Sequence, residues 1–233
     1  RARKRCANPL PAALDAVERA VIPATPFDPA IATNTWRVAA TDYGESTIVL
    51  PALNALRSAA PGTRLAVVEL VPPRIEQDAE RNGIDLAFHT TEGSPAGMRR
   101  LPLFVERYVL IGRAGHPKLK RRPTLAQFGT LEHVIVSPDG GGFFGVTDEA
   151  LAKAGAARRV VLSVPHFLFV MSAVASTDLV AMLPERLVRD VPALRVVEAP
   201  VDVPGYEMSM LWHERVHRDP AHRWLRETIA ASV

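Results

Sequence analysis

Trp36-Arg37-Val38-Ala39-Ala40 and the turn Thr41-Asp42-Tyr43-Gly44-Glu45 open the stretch that decides the fold. The first segment is aromatic, β-branched and small, and reads as a strand. Asp42 stands where it can cap the next helix, with Glu45 three residues on as in a capping box. That helix runs to about Ala60, is interrupted by Pro51 and stops at Pro61-Gly62. Leu65 to Val71 is an apolar, β-branched strand. Arg74 to Asn82 reads as a polar helix closed by Gly83 in the left-handed position after its end. Ile84-Asp85-Leu86-Ala87-Phe88 is a third strand. Strand, helix, strand, helix, strand implies right-handed parallel crossovers, with helices on both faces of a sheet.

Outward from this stretch the pattern recurs. His133-Val134-Ile135-Val136 reads as a strand, then come a glycine-rich turn and a helix from about Val146 to Ala154, closed by Gly155. Arg159 to Ser163 is a strand, Phe167 to Ala175 a helix and Asp178 to Leu183 a strand. The third strands share a signature, Ile84-Asp85-Leu86-Ala87 against Thr177-Asp178-Leu179-Val180, as a duplicated lobe would. Between the cycles lie Leu101 to Val105 and Tyr108 to Ile111; after them, Tyr206 to Trp212 alternates as a strand should. A last helix starts near Pro220 and turns Trp224, Leu225 and Ile229 inward. Long strands at the ends of both cycles are expected to cross between two lobes, leaving a cleft at the carboxyl ends of the strands.

The chain has 233 residues, 48% hydrophobic and 23% charged, an ordinary globular balance. Its longest apolar stretch, Val160 to Leu183, is broken by Pro165, His166 and Asp178 and is no membrane span. Cys6 is the single cysteine, which excludes an internal disulfide and a thiolate zinc cluster. No apolar run follows the basic start Arg1 to Cys6, and a cytoplasmic address is expected. The net charge is +3, and the basic clusters Arg1 to Arg5 and Lys118 to Arg122 are short. This chain by itself is therefore expected to be a poor DNA binder. Leu10, Leu14, Val17 and Val21 mark an amphipathic helix that Pro23 ends, and residues 23–34 read as a linker.

Two motifs tempt a chemical reading. His213-Glu214-Arg215-Val216-His217 spells H-E-x-x-H, but zinc chemistry needs both histidines on one helix face, and here a strand precedes and Asp219-Pro220 follows. Pro138-Asp139-Gly140-Gly141-Gly142-Phe143 lacks the Lys-Ser/Thr ending of a phosphate loop, and offers backbone N–H groups ahead of a helix instead. No G-x-S-x-G elbow appears. Neither catalysis, metal nor cofactor is expected. Thr41, Asp42 and Tyr43 follow the first strand and Ser137 the matching strand of the second cycle, where an α/β sheet presents residues to its cleft. Pro165-His166-Phe167 opens the helix after another second-cycle strand.

Several stretches together resemble the LysR-type transcriptional regulators, especially the branch around the nodulation regulators. They are Pro26-Phe27-Asp28-Pro29, Thr41-Asp42-Tyr43-Gly44-Glu45, Ala60-Pro61-Gly62, Gly83-Ile84-Asp85-Leu86-Ala87, His116-Pro117, Ser163-Val164-Pro165-His166-Phe167, Leu211-Trp212-His213 and Asp219 to Leu225. The resemblance implies an α/β fold of two Rossmann-like lobes joined by crossing strands, like the type 2 periplasmic binding proteins, with a small-molecule inducer between the lobes. It implies a linker-helix remnant and linker over 1–25, a first lobe from 26–112 plus 206–233, and a second from 113–205. Inducer contacts carried over by position are Thr41, Asp42, Tyr43, Val71, Pro72, Phe88, His89, Ser137, Pro165, His166 and Phe167. The implied partners are a second copy of the chain and, through a helix-turn-helix not found in this sequence, promoter DNA. A solute-binding protein serving a transporter shares the architecture and is the alternative.

Overall fold

A computed structural model describes residues 26–138 and 141–233; the helix expected over 10–22 and two residues of the glycine-rich turn, Asp139 and Gly140, lie outside them. The first sheet holds β1 (Thr35–Ala40), β2 (Arg64–Glu69), β3 (Leu86–Thr90), β4 (Met98–Glu106) and β10 (Tyr206–His213), in the order β2-β1-β3-β10-β4. β1 pairs in parallel with β2 and β3, as the crossover pattern requires, and β10 runs antiparallel between β3 and β4.

The helix after β1, α1, runs through Asp42–Gly44, widens to π geometry over Glu45–Val49 and continues over Leu50–Ala59. The wide turn lies just ahead of Pro51, which has no N–H to return to the preceding turn, so the helix passes the proline without a break. Tyr43, Thr47, Ile48, Ala52 and Leu56 fall on its buried face and share a core with Trp36, Val38, Leu225 and Ile229. Two local expectations are corrected. The residue capping α1 is Thr41, whose Oγ1 accepts from the Gly44 N–H at 3.4 Å, while Asp42 is already in the first turn. After α2 (Ile75–Glu80) the left-handed residue is Asn82, at φ 60°, and not Gly83, whose N–H closes the helix end onto the Asp78 carbonyl at 2.7 Å. Asparagine tolerates that conformation better than most side chains.

The second lobe repeats the first. β6 (Glu132–Val136) pairs in parallel with β7 (Arg159–Val164). The N–H of Val134 donates to the Val180 carbonyl, and Val180 donates to Glu132. Val180 leads into β8 (Ala181–Pro184), which pairs antiparallel with β5 (Tyr108–Arg113), and β5 with β9 (Leu194–Val197). The succession β7-β6-β8-β5-β9 thus matches β2-β1-β3-β10-β4 position for position. α3 (Leu125–Gly129), α4 (Val146–Lys153), α5 (Phe167–Ser176) and α6 (Glu185–Val188) cover it, and α7 (Pro220–Ala230) returns to the first lobe. One boundary moves: residues 108–112, expected in the first lobe, are hydrogen-bonded into the second sheet.

His133 on β6 is fully buried, with Nε2 3.0 Å from the Phe128 carbonyl and Nδ1 unpaired. Burial pushes its pKa down to about 4, so it is neutral in the fold at pH 7. An unfolded histidine protonates near pH 6.5, so the stability tied to neutral His133 is complete above that pH. It is lost as pH falls toward about 4, by roughly 3 kcal/mol. His133→Gln keeps an N–H donor but cannot titrate. Chemical denaturation at pH 7 and pH 4.5 is expected to show a loss about 2 kcal/mol smaller in this variant than in the wild type. Equal losses would place the acid sensitivity elsewhere.

Candidate functional site

The lobes are joined by two short crossings. β4 ends at Glu106 and β5 begins at Tyr108, so Arg107 alone carries the chain across. The return comes through Pro204 and Gly205 into Tyr206, the first residue of β10. Through Arg107 the strands β4 and β5 follow each other as one extended stretch that passes from the first sheet to the second, as the expected crossing strands do, while the pairing of each strand falls within one sheet. Tyr108 and Tyr206 are therefore equivalent residues, the first of the fourth strand in each lobe, and their rings meet at 5.7 Å. The two crossings pass so closely that a Cβ on Gly205 would collide with the carbonyl oxygen of Glu106.

A cleft of about 430 Å³ opens above the crossings, walled by both lobes. The first lobe gives it Thr41, Tyr43, Leu70, Pro72, Phe88, His89, Thr90 and Glu92, and β10 gives Tyr206 and Met208. The second lobe gives Tyr108, Pro138, Val146 and Phe167. Tyr43 and Phe167 touch across it with ring centroids 5.5 Å apart. The Tyr43 hydroxyl donates to Glu106 Oε2 at 2.7 Å, and burial, then this bond, raises the Tyr43 pKa.

Of the residues expected to contact a ligand, Thr41, Tyr43, Pro72, Phe88, His89 and Phe167 line this cleft. Asp42 is used otherwise: its Oδ2 accepts from the Leu168 N–H at 2.8 Å, reaching across to the first turn of α5. Ser137 Oγ accepts from the Gly142 N–H at 3.2 Å, holding the glycine-rich turn, and its neighbour Pro138 faces the cleft. Pro165 and His166 are exposed ahead of α5 and are not among the lining residues. Val71 opens onto a separate hollow on the first lobe, with Arg37, Arg74 and Asp78. That hollow belongs to one lobe and is edged by charged side chains. Sequence reasoning missed Tyr108, Tyr206 and Val146 as cleft residues. Strand-initial position was the available signal for the tyrosines, but it needs the crossings to be placed.

A family model described as the LysR substrate binding domain matches residues 32–233. The chain belongs to the LysR family of transcriptional regulators. It is 35% identical to the HTH-type transcriptional activator NagR of Ralstonia over 224 residues, covering 95% of this chain and 74% of that protein. It is 32% identical to the HTH-type transcriptional regulator SyrM 1 of Sinorhizobium fredii, covering 99% and 68%. The regulatory domain of MexT, a transcriptional activator of Pseudomonas aeruginosa, superposes with a TM-score of 0.74 at 28% identity, covering 87% of this chain and 99% of that one. These relatives are transcriptional regulators, which decides against the transporter alternative. The chain is a LysR effector-binding domain.

In this LysR domain the H-E-x-x-H letters fall on the last residue of β10 and a 3-10 turn, Glu214–Val216, so no helix face carries them. Glu214 pairs with Arg99, and His217 Nδ1 accepts from the Trp212 indole at 3.3 Å. Among the described residues, no helix is long and apolar enough to cross a membrane. Gly205→Ala must push the two crossings apart; overpacking of this kind costs about 1–3 kcal/mol. The expected result is a melting temperature lower by roughly 5 °C, at about 2–4 °C per kcal/mol for a chain of this size. Gly115→Ala, which meets only the flexible end of Arg113, is expected to melt close to wild type.

Proposed function

We propose that the cleft between the lobes is the effector site of this LysR domain, and that Thr41, Tyr43, Pro72, Phe88, His89 and Phe167 form its contacts. The observation carrying this reading is the size and lining of the cleft: about 430 Å³, walled from both lobes, with aromatic rings and few polar groups. Small-molecule sites have this volume and this balance. A ligand touching both walls binds one arrangement of the lobes better than another, and that difference is what a receptor module transmits. A single-ring aromatic or small amphipathic molecule suits the lining better than a highly charged one. The first lobe in this reading comprises residues 26–106 and 206–233, the second 108–203. A second copy of the chain, a cytoplasmic address, and promoter DNA contacted through a helix-turn-helix outside this sequence complete the reading; the name HTH-type on NagR and SyrM 1 supports the last.

A thermal-shift screen of small aromatic compounds identifies a ligand, and calorimetric titration of variants then locates it. Phe167→Ala is expected to weaken that ligand about tenfold or more through lost contact area. His213→Ala, outside the cleft, is expected to leave affinity within about twofold. Thr41→Val removes a hydroxyl from the wall and the cap of α1, so it is expected to lose affinity and about 1 kcal/mol of stability. Unchanged affinity for Phe167→Ala, or its collapse for His213→Ala, would put the site elsewhere.

A further inference from the structure

Beside the cleft lies a smaller chamber of about 160 Å³, lined only by second-lobe residues from β6, β8, the start of α4 and the start of α5 among others. It shares Tyr108, Pro138, Val146 and Phe167 with the cleft, so the two spaces adjoin. Val134, Ile135, Val136 and Met182 add apolar wall. An apolar cavity of about 150 Å³ is enough to hold benzene, so this chamber has room for a single ring.

Two nearly buried polar residues also line it, Arg158 and Thr147. The Arg158 side chain is 2% exposed, and its Nε and Nη2 donate to Asp148 at 2.9 and 2.7 Å. Asp148 is in turn held by the Gly145 N–H, so the pair is fixed. Nη1 is left with no hydrogen-bond partner among the described residues, and so is the hydroxyl of Thr147, a residue 3% exposed. Neither atom is sealed inside the protein, because the one sealed side-chain nitrogen or oxygen without a partner is His133 Nδ1. Both therefore keep a small opening, and the chamber is the space that both residues line. The N–H groups of Val146 and Thr147, in the first turn of α4, have no intrahelical acceptor and add two more donors to the same wall.

We propose that this chamber is a subsite of the effector cleft that takes a ring bearing a neutral hydrogen-bond acceptor, a ketone, ester or nitro oxygen, with Arg158 Nη1 and the Thr147 hydroxyl as its donors. The inference rests on the cleft being the effector site. Unpaired donors in an apolar wall call for an acceptor, and a ligand oxygen placed there gains bonds that an apolar ring edge does not. Charge balance sets the preference for a neutral one. Arg158 is the only charged residue lining the chamber, Asp148 already balances it, and no other Lys or Arg lines the cleft. A carboxylate would exchange its hydration for donors but find no unpaired cation, and so binds less well than a neutral oxygen.

Three single-ring probes test this on the 233-residue chain by ligand-observed NMR titration: acetophenone, a neutral acceptor; benzoate, a charged one; and benzylammonium, a donor. Wild type is expected to bind acetophenone at least about fivefold more tightly than benzoate. Thr147→Val keeps the shape of the side chain and removes the hydroxyl; Arg158→Lys keeps a cation against Asp148 and removes Nη1. Each is expected to weaken acetophenone about fivefold or more and to leave benzylammonium within about twofold. Phe167→Ala, which opens the wall common to both spaces, is expected to weaken every probe that binds. Benzoate binding as tightly as acetophenone, or acetophenone unaffected by both folded variants, overturns the proposal while the cleft reading stands. Absence of binding by every probe, or indifference of all of them to Phe167→Ala, removes the cleft reading as well. If Arg158→Lys does not fold, Thr147→Val and the wild-type ranking decide.

Discussion

The backbone of Gly205 lies against the carbonyl of Glu106, and the rest of the molecule is arranged around that contact. A chain that leaves one sheet for another and later returns must bring its two crossings through the same place. The closer they pass, the more directly the two lobes can share one core. Here Val109 and Ile111 of the second lobe are buried in the same cluster as Val38, Ile48 and Met210 of the first. Glycine is the side chain that permits this approach, and the tyrosines that follow each crossing meet as a result.

Bringing the crossings together also buries the last residue of β4, and that residue is an acid. An unpaired buried charge is costly. Glu106 is stabilised by backbone amides and a phenol, one of the amides at the start of α6, where the helix dipole favours negative charge. The partly buried Asp148 meets Arg158 through two bonds of 2.9 and 2.7 Å and accepts the Gly145 N–H as well. Asp148 is paired with a guanidinium where it stands, whereas Glu106 is held by two backbone amides and the Tyr43 hydroxyl.

Much of the scaffold was legible because its signals are local. Val38 to Ala40, Leu65 to Val68 and Val160 to Val164 are short β-branched or apolar runs between turn residues, and they are strands. The end of the second-cycle helix at Gly155, with φ 68°, followed from the same kind of reasoning. The cap of α1 was misassigned by one residue because Thr41 and Asp42 are both good caps; the choice went to the threonine when Asp42 turned to α5. β9 was missed because Leu194-Arg195-Val196-Val197 is a short edge strand with an arginine in it. Glu106 left no trace at all. A single acid at the end of an alternating strand looks like a solvated residue until Tyr43, Arg107 and Arg186 are brought around it, and those contacts span up to 80 positions of sequence.

Asp42 shows how a side chain expected to touch a ligand can serve the receptor in another way. Its Oδ1 accepts from the Tyr43 N–H at 3.1 Å in the first turn of α1, while Oδ2 accepts from the Leu168 N–H at 2.8 Å in the first turn of α5. One carboxylate therefore satisfies free N–H groups at the starts of two helices, one in each lobe. A helix N-terminus favours a negative charge, so both bonds are favourable for the same reason. Separating the lobes breaks only the second, and water can replace the lost acceptor at an exposed helix end. The net cost of that exchange is at most about 1.5–3 kcal/mol, the range for a hydrogen bond to a charged group. That bond adds a directional contact between the lobes to the core they share and to the packing of Tyr43 on Phe167.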